Sequence, residues 1–143
     1  MSIYQELARI QKELKAPKGQ FNKFGKYNYR SCEDILEGLK PVLGGLAVTL
    51  TDEIVLVGDR IYVKSTATLT DGKDSIYTAA FARESLVKKG MDDSQITGTA
   101  SSYARKYALN GMFLIDDTKD ADTVDNSAEH TISDIQIKGI MGA

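Results

Sequence analysis

Arg105 and Lys106 are neighbouring cations inside a stretch of helical periodicity, TGTASSYARKYALNGMFLIDD, residues 97–117. On a helical wheel at roughly 100° per residue, Arg105 falls about 180° from Ile96. Lys106, Gly98, Ser101 and Ser102 share that side. Small side chains allow another backbone to come close, and two cations among them suit phosphate oxygens. The same pair in the last turn of a helix also offsets the helix dipole, and the helix alone leaves both readings open. A second candidate is PKGQFNKFGKYNYR, residues 17–30, where Lys18, Lys23, Lys26 and Arg30 stand without an acid among Phe21, Phe24, Tyr27 and Tyr29. Cations that follow phosphates, interleaved with rings that stack on bases, meet the demands of a single-stranded nucleic acid. A polar loop that tucks its rings into a core has the same composition. The third is Asp116, Asp117, Asp120 and Asp122, carboxylates able to converge on magnesium as in a nuclease, although solvated acidic tails are far commoner.

Other chemistry finds little to work with. One histidine, His130, and one cysteine, Cys32, argue against a zinc site, a cysteine–histidine nucleophile and an internal disulfide framework. A Ser-His-Asp arrangement would rest wholly on His130, which lies in an acidic stretch. Neither a phosphate-binding P-loop nor a dinucleotide-binding glycine pattern occurs. No apolar run is long enough for a membrane span, and no signal-peptide pattern is present, so a cytoplasmic protein is expected.

The elements that must position these residues fit one domain of 143 residues with a real core. Net charge is −2, but it is unevenly spread. Residues 1–107 hold sixteen Lys/Arg against thirteen Asp/Glu, a net of +3, and residues 108–143 hold two against seven, a net of −5. A basic body with an acidic tail results.

Ser2–Ala16 reads as a helix, with a Ser2/Gln5 capping box, a narrow stripe of Ile3, Leu7, Ile10 and Leu14, and Pro17 as its stop. That stripe calls for cover from the domain's own sheet or from a neighbouring subunit. Residues 17–30 show neither helical nor strand period. Ser31–Leu43 is a second helix, capped by Ser31 with Asp34 and kinked or ended at Pro41. Residues 46–87 read as antiparallel strands with turns at Gly58-Asp59 and Asp71-Gly72. Along them Ile61, Val63, Ala67 and Leu69 alternate with Tyr62, Lys64, Thr66, Thr68 and Thr70, and the polar side reads as a solvated face. Lys88-Lys89-Gly90 and Asp92-Asp93 read as a connection. In the final helix the stripe is Ile96, Ala100, Tyr103, Ala104, Tyr107 and Ala108, so both tyrosines are expected to pack inward, and Asn110-Gly111 is expected to stop the helix. Residues 118–143 have the composition of a mobile acidic tail, with a short terminal helix possible around Ile132–Met141.

Three stretches together, FGKYNYRSCEDILEGLKPVL, GMDDSQITGTASSYARKYALNGMFLIDD and the DAD that follows, resemble the ERF family of phage and prophage recombination proteins. The resemblance spans about Phe21 to Asp122, and SSYARKYAL followed by LIDD is its most specific part. It implies an α+β fold in which an antiparallel β-meander is followed by a long helix packed across it, the β-β-β-α core of strand-annealing ring proteins, behind N-terminal helices. It implies a non-enzymatic single-strand annealing protein that needs neither ATP nor another cofactor. Its expected partners are single-stranded DNA, further copies of itself in a ring or filament, and a phage exonuclease or host single-strand-binding protein. Carried over by position, Arg105, Lys106, Lys23, Lys26, Tyr27 and Arg30 are the expected DNA-binding residues. Where family members carry two arginines, this chain has Arg105-Lys106, which keeps the charge and loses one bidentate group. The expected division is a DNA-binding domain over 1–117 and a tail over 118–143. The rival readings are a metal-dependent nuclease built on the Asp116–Asp122 cluster and an oligomeric adaptor that binds only proteins.

Overall fold

The computed structural model describes residues 1–86 and 92–116. Residues 1–17 and 31–116 form one compact unit, and residues 18–30 fall outside it. The fold is α+β, with a β-meander followed by a long helix across it and two helices before it.

Helix α1 (Ile3–Glu13) starts at the expected capping box, in which the Ser2 hydroxyl accepts from the Gln5 amide and the Gln5 side chain accepts from the Ser2 amide. It stops at Leu14, three residues before Pro17, because Leu14 is already extended, at ψ 128°. The stripe is covered from within: Ile3 and Ile10 are buried, and Leu7 and Leu14 pack on the same core. Helix α2 (Cys32–Leu43) repeats the device with Ser31 and Asp34. Pro41 sits in its last turn, and the helix closes two residues later, before Gly44 at φ 61°. Ile35 and Leu39 are its buried anchors.

Gly38 is where α2 meets the end of α1. A Cβ there would lie 2.5 Å from the Lys15 carbonyl oxygen, closer than the two atoms can stand. Gly38→Ala should therefore lower the urea-unfolding midpoint. Overpacking against a backbone atom costs about 1–3 kcal/mol, whereas alanine's helix preference returns at most about 1 kcal/mol.

Strands β3 (Ala47–Val57), β4 (Arg60–Thr70) and β5 (Ser75–Arg83) form an antiparallel meander in chain order; β1 and β2 lie in residues 18–30. Gly58, at φ 62°, permits the two-residue turn between β3 and β4. The second turn is wider than its Asp-Gly signal. Thr70 pairs with Ser75 around four residues, and the Asp71 carboxylate accepts from the amides of Lys73 and Asp74 at 2.9 and 2.7 Å. Alternation holds from Val63 onward, where Val63, Ser65, Ala67 and Leu69 are buried and the residues between them are not, but Ile61, expected on the same side, is 41% exposed because it stands at the strand's start, beyond both core clusters. Register places Val48 and Leu50 of β3, and Ile76, Thr78, Ala80 and Ala82 of β5, on the buried side.

Helix α3 (Asp93–Phe113) crosses that side over β4 and β5. Its cap is Asp92, whose carboxylate accepts from the Gln95 amide at 2.9 Å, so the acidic pair read as a connection is a helix start. The helix also runs through Asn110-Gly111. Leu109, Met112 and Phe113 are all buried in the main core, and that burial outweighs the local preference of Asn-Gly for a stop. Termination comes at Leu114, in the left-handed region at φ 57°, where the amides of Leu114 and Ile115 both bond to the Asn110 carbonyl. The Gln11 side chain of α1 donates to the Met112 carbonyl at 2.8 Å, satisfying an acceptor in the helix's last turn.

Residues 18–30 make a short hairpin, β1 (Gln20–Asn22) with β2 (Tyr27–Tyr29), where no period was expected. Strands of three residues are too short to show one. The turn is organised by Asn22, whose side-chain oxygen accepts from the amides of Phe24 and Gly25 at 2.9 and 3.0 Å and whose carbonyl accepts from Lys26.

Candidate nucleic-acid interface

The buried line of α3 is a four-residue ridge, Ile96, Ala100, Ala104 and Ala108, which meets the sheet at Val63 and Ala82 in its first half. Alanine lets the helix sit low on the sheet, so only a narrow strip fits between them. The residues about 100° to either side of Ala104 are Tyr103 and Arg105, and neither enters the strip. This corrects the expectation for the tyrosines. Tyr103 and Tyr107 are 49% and 46% exposed, and their rings stack on each other with centroids 6.1 Å apart. The helical period is right for the alanines, but the stripe is one ridge wide and excludes both rings.

Arg105 is on the other flank, where it is held rather than extended into solvent. Its Nε donates to Asp52 Oδ1 at 3.1 Å and its Nη2 donates to Asp52 Oδ2 at 3.0 Å. Ser101, one turn earlier, donates to the same carboxylate at 2.5 Å, and Ser65 of β4 donates at 2.7 Å. Asp52 thus collects a guanidinium and two hydroxyls, and it satisfies Ser65, a fully buried polar residue. The small side chain at 101 serves this bond. At Gly98 nothing lies within 4 Å of where a Cβ would be, so no backbone exploits that gap among the described residues. Lys106 follows as a half-buried cation.

Burial works to raise the Asp52 carboxyl, but hydrogen bonds from Arg105, Ser101 and Ser65 outweigh it and hold the group below its ordinary value of 3.8. Arg105 is correspondingly pushed further up, first by its bond to Asp52. A carboxylate depressed in the fold stabilises it fully above its ordinary value and ceases to do so as pH falls through the folded value. Asp52→Asn should therefore lower the melting temperature at pH 6, and the gap to wild type should narrow as pH falls below the ordinary carboxyl value of 3.8. Arg105 is 40% exposed at its side chain, so solvent screening keeps the loss to about 1 kcal/mol. Melting curves of both proteins across pH 2.5–7 measure it.

Burial, followed by Glu33, pushes the Cys32 thiol up, against Arg105 and Lys106, which pull it down. A buried thiol so disposed is a poor nucleophile. Of the proposed metal cluster only Asp116 is described, and Asp117, Asp120 and Asp122 lie outside the described residues, as do Lys88 and Lys89. Among the described residues no group of three or more metal-ligating side chains comes together, and no helix is long and apolar enough to cross a membrane.

Lys23, Lys26, Tyr27 and Arg30 belong to the hairpin of residues 18–30, apart from the unit that holds Arg105 and Lys106. Lys23 and Lys26 flank the turn and are exposed, with Lys26 in the left-handed region at φ 54°. Between them Phe24 is 101% exposed, the least covered large apolar side chain among the described residues. Tyr27 and Tyr29 meet edge to face, 6.1 Å between centroids, and the Asn22 amide donates to the Tyr27 hydroxyl at 3.1 Å. Arg30 closes the hairpin. Phe24 was visible in the sequence only as one aromatic of four, and Asp52 carried no signal at all, because its partners are 13, 49 and 53 residues away.

A β-meander crossed by a long helix, behind two further helices, defines an α+β protein. The model of the ERF superfamily matches residues 3–137, and the chain belongs to that superfamily. It is 63% identical over 127 residues to the Essential recombination function protein of Salmonella phage P22, an alignment that takes in 89% of this chain and 62% of the relative. The chain thus spans less than two thirds of that relative's length. No solved structure matches it.

Proposed function

We propose that the chain binds single-stranded DNA and anneals complementary strands without ATP in phage homologous recombination, as a homo-oligomer inside the bacterial host cell. The observation that carries this reading is membership of the ERF superfamily together with the likeness to a protein named for its essential recombination function. The physics of the site supports it. Two strands repel through their phosphates, and annealing requires that this repulsion be removed while base edges stay free to test a partner. Lysines and arginines neutralise phosphates, and the exposed Phe24 offers a base a stacking surface. No covalent bond is made or broken. A subunit with few cations binds weakly by itself, and repetition around an oligomer multiplies such contacts through effective concentration. The test mixes complementary labelled oligonucleotides with the protein, without nucleotide and both with magnesium and with EDTA, and follows duplex formation by energy transfer alongside particle mass. Accelerated pairing is expected. Degradation that EDTA abolishes would replace this reading with the nuclease, and no retention of oligonucleotide at low salt would replace it with the adaptor.

A further inference from the structure

The β-meander has a second face. Ala47, Thr49, Thr51, Glu53 and Val55 of β3, Tyr62, Lys64, Thr66 and Thr68 of β4, and Tyr77, Ala79, Phe81 and Arg83 of β5 alternate with the buried residues and so point away from α3. Every sheet residue in the two core clusters lies on the opposite side, so among the described residues nothing covers this one. It nonetheless carries large rings. Tyr77 is 72% and Phe81 50% exposed, and Tyr62 stands one strand over, diagonal to Phe81 and directly opposite Arg83. Solvated faces are normally built from threonine and charge, as the β3 side of this one is; two bare rings on a single strand are not explained that way.

We infer that this outer face is a stacking platform for single-stranded nucleic acid, running along β5 with Tyr77 and Phe81 as its rings and Lys64 and Arg83 as its cations. The inference rests on the proposed binding of single-stranded DNA and assigns it the face of the sheet opposite α3. Tyr77 and Phe81 are four residues apart on one strand, about 13 Å, which separates them enough to hold different bases. Rings projecting from neighbouring strands of an open sheet are a general means of taking up unstacked bases. The charge is placed to match. Lys64 lies over the Phe81 ring, 5.8 Å from its centroid, and Arg83 is two residues beyond Phe81 on the same side of β5. The one acid on the face, Glu53, stands toward the β3 edge, 3.9 Å from Lys64, so the polyanion is directed to the β5 side. Thr66 and Thr68 supply hydroxyls between the rings for base edges.

The test compares wild type with the full-length Tyr77→Ala/Phe81→Ala variant, using a fluorescein-labelled oligothymidylate and an abasic oligonucleotide of equal length. The expected result is a loss of about tenfold or more in affinity for the thymidylate. The salt slope should be unchanged, and little should be lost for the abasic strand. Lys64→Ala should instead reduce the slope by roughly 0.7. Wild-type binding with an undiminished double variant would overturn the platform and leave the annealing reading standing; no binding by wild type would overturn both. A double variant whose affinity falls only together with its particle mass would make the face a contact between copies of this chain and overturn the proposal. Both rings are exposed, so the variant should melt as wild type does. Phe81→Trp, which keeps a ring, should retain affinity, and its failure to do so would count against stacking.

Discussion

Arg105→Ala with Lys106→Ala should weaken binding of a single-stranded oligonucleotide by about tenfold or more at ~0.1 M salt, since a charge-assisted contact contributes roughly 1.5–3 kcal/mol. It should also reduce the slope of log K against log salt by roughly 1.4, two cations at about 0.7 each. The slope is the more telling quantity, because only a group that displaces counterions from phosphate changes it. Arg105 complicates the affinity: its guanidinium is already engaged by Asp52, so a phosphate must share or displace that carboxylate, and removing Arg105 also deprives Asp52 of its cation. Asp52→Asn separates the two effects. It leaves the guanidinium without its counter-charge, and binding should then equal or exceed that of wild type. If Asp52→Asn binds as poorly as the double alanine variant, Arg105 serves the packing of α3 rather than the ligand. An unchanged slope in the double variant would remove both residues from the interface.

Phe113→Ala should cost about 3–5 kcal/mol of unfolding free energy, the largest loss expected from any single truncation here. Phe113 is 1% exposed, in the last turn of α3, within a core shared by α1, α2, α3 and the sheet. That turn exists only because it is buried, coming as it does after Asn110-Gly111. Truncation should therefore also fray α3 back toward Asn110, visible as faster amide exchange at Met112 and Phe113 than at Ala104 and Ala108. Urea titration gives the stability. A loss under about 1 kcal/mol would mean that the helix end is not held by this ring.

Much of the architecture was legible because its causes are local. Ser2 with Gln5 and Ser31 with Asp34 announce their helices three residues ahead, and both capping boxes are present. The alternation of β4 from Val63 to Leu69 is a period-two signal that can be read without context, and it fails only at exposed Ile61 near the strand's start. Failures occur where distant groups decide. Whether Tyr103 and Tyr107 point inward depends on the width of the strip under α3, which alanine and the sheet set together. Whether Asn110-Gly111 ends the helix depends on the core that receives Phe113. Asp52 was invisible for the same reason, and Gly38 too, since nothing near it in sequence shows that the Lys15 carbonyl lies against it. The hairpin of residues 18–30 was missed for the opposite reason, being too short for periodicity, although Asn22 ahead of Phe24-Gly25 was a turn signal to be read. Of the candidate interface, the residue types were readable and their arrangement was not. Phe24 at the hairpin tip and the two bare rings on β5 became conspicuous only once exposure was known.

The alanine ridge of α3 has one more effect. Ala100 and Ala104 give the middle of the helix a nearly smooth runner on the strands beneath it, between the bulky Ile96 and the core residues that follow Ala108. Sliding along the sheet is resisted there by polar stops instead: Asp52, which reaches up to Ser101 and Arg105 from the side, and Thr97, whose hydroxyl is hooked to Glu84 at 2.6 Å. These directional bonds index the smooth middle of the helix while Leu109, Met112 and Phe113 anchor its end in the core, so a polyanion competing for Arg105 would loosen one catch and leave the anchor.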